Sequence, residues 1–507
     1  MYSRVNSNLL EDRLDAEFYS LEQIKNHKTL QDYGVIPLSA YCNGINVGYT
    51  GELTSVYRAQ GTTLFRVSDI DGIFLSNDDV NYVPDDFAAN NPQIWIRDND
   101  IVFAAVGNTI GKVALKTVSM PDGVCSRALM IARPLTDKID SSFLIAYLAT
   151  KYAQKSLLRG VSGSAQPVLN TPLIANLPVI SAESVSQKYI GDKIRQAERL
   201  RAWAKRLERS LDAFIEHFQP EKKEYKKLFS RVPNNLLTNM LTATTYRERY
   251  ISNQKNLKAI SRIQPISYYL SSITNGYDER NEIDNGLPYV KVANVRAGYI
   301  DLKNTPRVRL SALTDASAKQ KPEKGDLLLT RKGSFGIAAV VMESASFLCS
   351  SEVFSCKPSK PEFMPILSWF LNSEAGNMQF WQFSTGTTMP GINQENLQNI
   401  LIPDFSTCDI EQFNSIHKNR YEAKKNAELL TDTAKTLVEA LIEGQLTEQQ
   451  LIQAQQALED GDNSLDQAIL SKLSAEGYAI EGATPLFSDV DELYRLLEEA
   501  AQAEAEE

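Results

Sequence analysis

Part of this chain occurs twice, and that duplication restricts the fold more than any single motif does. Phe65-Arg66-Val67-Ser68-Asp69-Ile70 returns as Val290-Lys291-Val292-Ala293-Asn294-Val295, 225 residues on. Asp98-Asn99-Asp100-Ile101-Val102-Phe103, followed by Gly107-Asn-Thr-Ile-Gly111, returns as Lys324-Gly325-Asp326-Leu327-Leu328-Leu329, followed by Gly333-Ser-Phe-Gly336. Gly163-Ser-Ala-Gln-Pro167-Val-Leu-Asn170 returns as Gly386-Thr-Thr-Met-Pro390-Gly-Ile-Asn393 at an offset of 223, and the same offset pairs Asn176 with Asn399. A weaker match sets Leu9, Leu10, Leu14, Ala16 and Tyr19 against Leu236, Leu237, Leu241, Ala243 and Tyr246. Two long, diverged copies imply a duplicated domain and exclude a solenoid, which needs at least three short repeats.

Each copy closes on a helical seam. Ile190, Ala197, Leu200, Ala204, Leu207, Leu211, Phe214 and Phe218 carry the 3,4 spacing of a coiled coil from Ala197 onward. The second seam is Phe413, Ile416, Ala423, Ala427, Leu430, Ala434, Leu437 and Leu441, with Gly444 as the stop. Shifting the first set by 223 keeps seven of eight positions apolar and changes only Ala197, which becomes Arg420. An apolar stripe of this length needs a partner, and the simplest arrangement packs the two helices on each other.

Before each helix the pattern is mixed α/β. Alternating runs at Leu64–Ile70, Ile94–Arg97, Ile101–Ala105, Ala128–Ala132, Pro288–Val295, Leu327–Thr330 and Ala338–Met342 predict strands. Phe143–Lys155 and Phe363–Phe383 carry helical spacing. The polar run Pro220–Lys227 reads as a linker.

A length of 507 residues suits two to four domains. The formal charge of -10 argues at first against a nucleic-acid partner. That charge is unevenly spread. Residues 446–507 hold 15 acidic side chains against Lys472 and Arg495, a net of -13, so residues 1–445, with 51 basic and 48 acidic, carry +3. The acidic tail is either a solvated helical terminus or a docking or DNA-mimicking appendage. Met1–Leu10 is polar, and no apolar run would cross a bilayer, so no signal peptide or membrane span is expected. Scattered Cys42, Cys125, Cys349, Cys356 and Cys408 fit reduced cytoplasmic thiols, and three histidines leave little for a metal centre; none is expected.

Gly107-Asn-Thr-Ile-Gly111-Lys112 is one residue short for a phosphate loop, and Val113 stands where a magnesium-binding hydroxyl would be. A turn between strands is the better reading. No methyltransferase, hydrolase-elbow or metalloprotease motif is present, and no catalytic residue is assigned. Candidate DNA contacts are Arg66, Arg97 and Arg127 in the first copy and Lys291, Arg331 and Lys332 in the second, suited to phosphates or guanine edges. The Gly-containing loops add Ser162, Ser164 and Gln166, and Ser384, Thr385, Thr387 and Thr388. Each is an ordinary surface residue by itself, and recurrence in two copies is what lifts the set. Three functions stay open on these residues: a DNA-reading scaffold, a self-contained DNA methyltransferase or nuclease with an unfamiliar site, and a scaffold that binds no DNA.

The order of globular domain, long helix, globular domain, long helix resembles the specificity subunit of Type I restriction–modification systems. The resemblance rests on Arg13-Leu-Asp-Ala-Glu-Phe-Tyr19, on Gly107-Asn-Thr-Ile-Gly111, on the Gly-x-x-x-Pro-x-x-Asn loops ending in Asn-Leu-Pro-Val and Asn-Ile-Leu-Ile-Pro, and on Leu437-Val-Glu-Ala-Leu-Ile-Glu-Gly444-Gln-Leu446. It covers residues 1 to about 446 and leaves the acidic tail unexplained. It implies an α/β (mixed α+β) fold with pseudo-two-fold duplication and two long antiparallel coiled-coil helices. The expected division is target-recognition domain 1–180, spacer helix 181–219, linker 220–235, target-recognition domain 236–405, spacer helix 406–445 and acidic tail 446–507. Each domain would read half of a bipartite site in double-stranded DNA. The helices, through Leu200, Ala204, Leu207, Leu211 and Phe214 and through Ala427, Leu430, Ala434, Leu437 and Leu441, would pack together and dock two modification subunits. S-adenosylmethionine would bind those partners and no cofactor this chain. A motor–nuclease subunit would complete a cytoplasmic complex.

Overall fold

The computed structural model describes residues 18–159, 161, 168–220, 231–234, 237–238, 240, 242–386 and 388–506. The chain divides into two compact units: Met1–Ala204 together with Glu422–Glu507, and Lys205–Tyr421. The division falls inside both long helices, Ser184–Ile215 and Thr407–Ile442. The matches at Leu9–Ala16, Leu236 and Leu241, and most of the linker, lie outside the described residues.

In the first unit, helix Leu21–Tyr33 starts where the Ser20 side chain accepts from Gln23 N at 3.3 Å. Strand Val35–Pro37 then pairs antiparallel with Pro178–Ile180 and closes the domain on itself. Between them lie two sheets. The larger has the spatial order Cys42–Val47, Leu129–Pro134, Ile101–Ala104, Val113–Leu115, Phe74–Leu75, Ile70–Asp71. The smaller runs Asn81–Val83, Thr62–Phe65, Gly123–Cys125, Trp95–Ile96. Helix Ser141–Leu148 is buried at every position; Phe143–Leu148 is apolar all round, and Asp140 caps the start, where the two serines lie.

The second unit repeats this plan with different side chains. One sheet has the order Leu270–Asn275, Val353–Pro358, Leu327–Thr330, Ala338–Val340, and another Glu282–Ile283, Arg307–Val308, Leu287–Val290, Leu348–Cys349. The closing pair is Ile263–Pro265 with Leu401–Pro403.

Several predicted elements are shorter than their patterns imply. The run Leu64–Ile70 leaves the strand after Phe65, and Val67–Asp69 is a 3₁₀ turn, because Asp69 Oδ2 accepts from Arg66 N at 2.7 Å. Pro288–Val295 breaks in the same way at Val292–Asn294, where Asn294 Oδ1 accepts from Lys291 N at 3.0 Å. Phe143–Lys155 divides into Ser141–Leu148 and Lys151–Arg159, because the Thr150 hydroxyl donates to Tyr147 O at 2.7 Å and accepts from Ala153 N at 3.2 Å. Ser373 does the same between Met364–Asn372 and Glu374–Gln382, bonding Phe370 O at 2.7 Å and Gly376 N at 3.3 Å. A hydroxyl that satisfies one helix end and caps the next competes well with continuation.

The long helices contain 32 and 36 residues. In the first unit their seam residues Leu200, Ala204, Ala427, Leu430, Ala434, Leu437 and Leu441 are all buried. In the second unit Leu211 is buried, Leu207 and Phe214 are half-buried, and Phe214 meets Phe413 edge-on at 5.5 Å. Glu208 there pairs with Arg420 at 2.8 Å, so the helices run antiparallel. Arg420, the polar exception in the seam, also donates to Gly298 O at 3.1 Å and lies over the Trp369 ring.

One turn before Arg420, His417 is buried between Phe413 and Trp369. Burial, aided by the Arg420 charge, pushes its imidazole down from 6.5 to about 4. Between those values the unfolded chain takes up a proton that the folded unit refuses, so stability falls as pH drops through that window. Urea unfolding at pH 7 and pH 4.5 should show the wild type losing on the order of 2–3 kcal/mol that His417→Gln retains.

The acidic tail is not a solvated terminus. It forms helices Glu448–Glu459 and Ser464–Leu470, a hairpin of Leu473–Ser474 with Gly477–Tyr478, and helix Val490–Ala505. Leu451, Leu470, Leu473, Leu493 and Leu496 make its core. Within the first unit it fastens to the first long helix. Lys188 meets Glu459 at 2.5 Å and Arg199 meets Glu504 at 3.0 Å. Buried Asp466 takes Lys193 Nζ at 2.6 Å, Tyr189 OH at 2.5 Å and Tyr494 OH at 2.6 Å.

Candidate nucleic-acid interface

The repeated motifs turn out to be fittings that hold one edge of each domain in shape. Asp100 Oδ2 accepts from Arg97 N at 2.8 Å and pairs with Arg133, while Asp326 Oδ2 accepts from Glu323 N at 2.7 Å and pairs with Lys357 at 2.7 Å. Burial pushes the Asp326 carboxyl up despite that lysine. The residue before each aspartate is left-handed: Asn99 at φ 67° and Gly325 at φ 93°. The paired glycines make the turn between antiparallel strands that their spacing suggested, Ile101–Ala104 to Val113–Leu115 and Leu327–Thr330 to Ala338–Val340. Gly336, at φ 85°, is required there, since a Cβ would lie 2.8 Å from the Phe380 ring. Asn170 and Asn393 cap the helices that follow them, accepting from Leu173 N at 3.0 Å and Asn396 N at 2.7 Å.

These fittings bring the glycine turn and the Gly-x-x-x-Pro-x-x-Asn loop together. Leu169 N donates to Ala105 O in the first domain, and Ile392 N to Arg331 O in the second, both at 2.9 Å. In the second domain Lys332 and Thr385 both bridge to Gly391. Arg331, Lys332, Thr385 and Thr388 therefore share one edge, with Lys332 and Thr388 exposed. Arg331 is partly committed, donating to Ser351 O at 3.1 Å over the Phe354 ring.

In the first domain Ser126 N donates to Phe65 O, which sets exposed Arg127 beside Arg66. Arg66 is committed to Asp69 at 3.0 Å and to the Asp79 carbonyl, and Asp69 holds its guanidinium above the usual range. Lys291 is ion-paired with Glu282. Arg97 is exposed but lies at the opposite end of strand Ile101–Ala104, and its counterpart is Glu323. Ser162, Ser164, Gln166 and Thr387 lie outside the described residues.

Sequence reasoning missed the buried charges that shape these edges. Lys116, 2% exposed, is held by Asp98 and by Asp122 at 2.7 Å, and nothing near it in the chain signals burial. Four of the five cysteines are buried, and burial pushes Cys42 up to about 12. Among the described residues no His, Cys, Asp or Glu group is placed to hold a metal ion, and no helix is long and apolar enough to cross a membrane.

Two α/β domains of one plan, each with the same turn-and-loop edge, and two antiparallel long helices define a duplicated-domain protein. No protein-family model matches the chain. Over 165 residues it is 28% identical to the Type I restriction enzyme MjaVIII specificity subunit of Methanocaldococcus jannaschii, a match taking in 31% of this chain and 35% of that protein. The chain thus spans about a third of that relative's length. The chain is also similar to the crystal structure of the Type I restriction–modification system S subunit from M. genitalium, at a TM-score of 0.43 and 13% identity over 80% of this chain and 95% of that one. For the HsdS subunit from Thermoanaerobacter tengcongensis the TM-score is 0.27 and the identity 15%, over 82% and 97%. The sequence match is to the same class of protein that the duplicated motifs resemble.

Proposed function

We propose that this chain is the DNA sequence-specificity subunit of a Type I restriction–modification complex. Each domain reads one half of a bipartite site in double-stranded DNA. The long helices set the spacing and dock two modification subunits, which bind S-adenosylmethionine and methylate adenine. A motor–nuclease subunit completes the complex in the cytoplasm, and this chain is its non-catalytic reader. The observation that carries this reading is the same edge in both domains: a glycine turn bonded to an Asn-capped loop, with exposed cations beside it. A fixed frame with variable side chains is what two readers of different half-sites require. A body of only +3 is tolerable if the partners contribute basic surface.

The test is to map methylated adenines across a genome with and without this chain, alongside its modification subunit. One bipartite motif should appear only when the chain is present. Cleavage or methyl transfer by the isolated chain with DNA, magnesium and methyl donor would overturn the non-catalytic reading. The spacer role makes a separate prediction. Deleting one heptad from each long helix, about 10 Å of rise, should change the preferred gap between half-sites. An unchanged gap would remove the helices from that role.

A further inference from the structure

The basic residues are not the only features shared by the two edges. Leu158 and Trp381 occupy the same repeat position, 223 residues apart, and each is 46% exposed. Both stand at the end of a helix, Lys151–Arg159 or Glu374–Gln382, that leads into a Gly-x-x-x-Pro-x-x-Asn loop. Both border the glycine turn. A Cβ at Gly111 would sit 3.4 Å from Leu158 Cδ2, and the Trp381 ring meets Phe335 of the other turn edge-on at 4.9 Å. A large apolar side chain kept in water once is ordinary; the same repeat position exposing one beside the same turn in both copies is the observation that sets this pair apart.

The surroundings select the ligand. Lys112, next to Gly111, and Lys332, at the head of the second turn, are exposed and make no ion pair among the described residues. Trp381 also walls an open cleft of about 580 Å³ with Arg249, Tyr250, Glu374 and Asn377. The Arg249 guanidinium lies over the Tyr250 ring and pairs with no carboxylate among the described residues. Apolar groups flanked by unpaired cations suit DNA, with thymine methyls and base faces inside and phosphates outside. An apolar protein face would strand those cations without water. Glu374 on the cleft would repel phosphate but can accept from a cytosine amino group.

We propose that Leu158 and Trp381 are base-contacting residues, one for each DNA half-site. Each places its apolar side chain against a thymine methyl or a base face, while Lys112, Lys332 and Arg249 take the neighbouring phosphates. This inference rests on the DNA-reading function above and names the residues through which it acts.

The test uses the complex of the full chain with its modification subunit and a labelled duplex bearing the methylation-mapped site. Trp381→Ala and Leu158→Ala should each weaken binding roughly 10- to 100-fold and relax base preference in one half-site only, a different half for each. Trp381→Phe should recover most of the loss. The slope of affinity against salt should not change, because no phosphate contact is removed. Wild-type affinity and preference in both alanine variants would overturn the proposal while leaving the DNA-reading function intact. So would normal DNA binding with loss of the modification subunit, which would make the face a protein dock. Loss spread equally over both half-sites, or unrepaired by Trp381→Phe, would also overturn it. Absence of sequence-dependent binding by the wild-type complex would sink the function and this inference together.

Discussion

Asp466→Ala should cost the first unit about 3–5 kcal/mol and free the C-terminal module from the first long helix. Asp466 and Lys193 are each 1% exposed, so removing the carboxylate strands an ammonium away from water. Burial by itself would raise the Asp466 pKa, but Lys193 and the hydroxyls of Tyr189 and Tyr494 outweigh it and hold the carboxyl below its usual range. A carboxyl depressed by folding stabilises above its unfolded pKa and loses that contribution as pH falls through the folded value. The module should therefore hold at neutral pH and loosen only in strong acid. Replacing both partners, with Asp466→Leu and Lys193→Met, should cost less than the single change, because no lone charge remains buried. Urea unfolding gives the magnitudes, and amide exchange across residues 448–505 shows whether the loss is local. A single-variant loss below about 1 kcal/mol would mean that Lys193 finds other partners or water.

Asp100→Ala is expected to have the next largest effect, about 2–4 kcal/mol. Its carboxylate is 1% exposed, receives Arg133 through two nitrogens at 2.9 and 2.8 Å, and accepts from Arg97 N. Losing it leaves a turn amide and a partly buried guanidinium short of acceptors. Asp100→Asn keeps an acceptor for the amide and should lose less. Thermal unfolding of both variants decides the matter, and equal losses would show that the turn amide contributes nothing.

The duplication, the two long helices and most strand cores were legible because they depend on local periodicity that both copies retain. What escaped was set by single polar side chains. Phe65-Arg66-Val67 alternates like a strand, yet Asp69 folds the chain back onto Arg66 N, and no apolar pattern records that. Thr150 and Ser373 interrupt helical runs with one hydroxyl each. The tail was read by its charge, although its leucines were spaced for burial and its anchoring carboxylate meets a lysine 273 residues away. At the candidate interface, recurrence marks equivalent positions but does not record which side chains are already engaged. Arg66 and Lys291 recur because they flank a shared turn, and both are ion-paired. Leu158 and Trp381 also recur at the offset of 223, but as Leu and Trp they look unrelated until the fold sets each beside a glycine turn.

The division of the chain between the two units also sets an order of events during synthesis. Lys205–Tyr421 is one continuous stretch and can close as soon as it emerges. The other unit joins Met1–Ala204 to Glu422–Glu507, so its first segment waits for helices made after the whole of the intervening unit. A nonsense mutation beyond residue 446 would therefore damage the half of the molecule made first and spare the half made in between. Premature termination would act backwards along the chain, leaving the first long helix with Tyr189 and Lys193 uncovered, as they are in the nascent chain until Asp466 has been made.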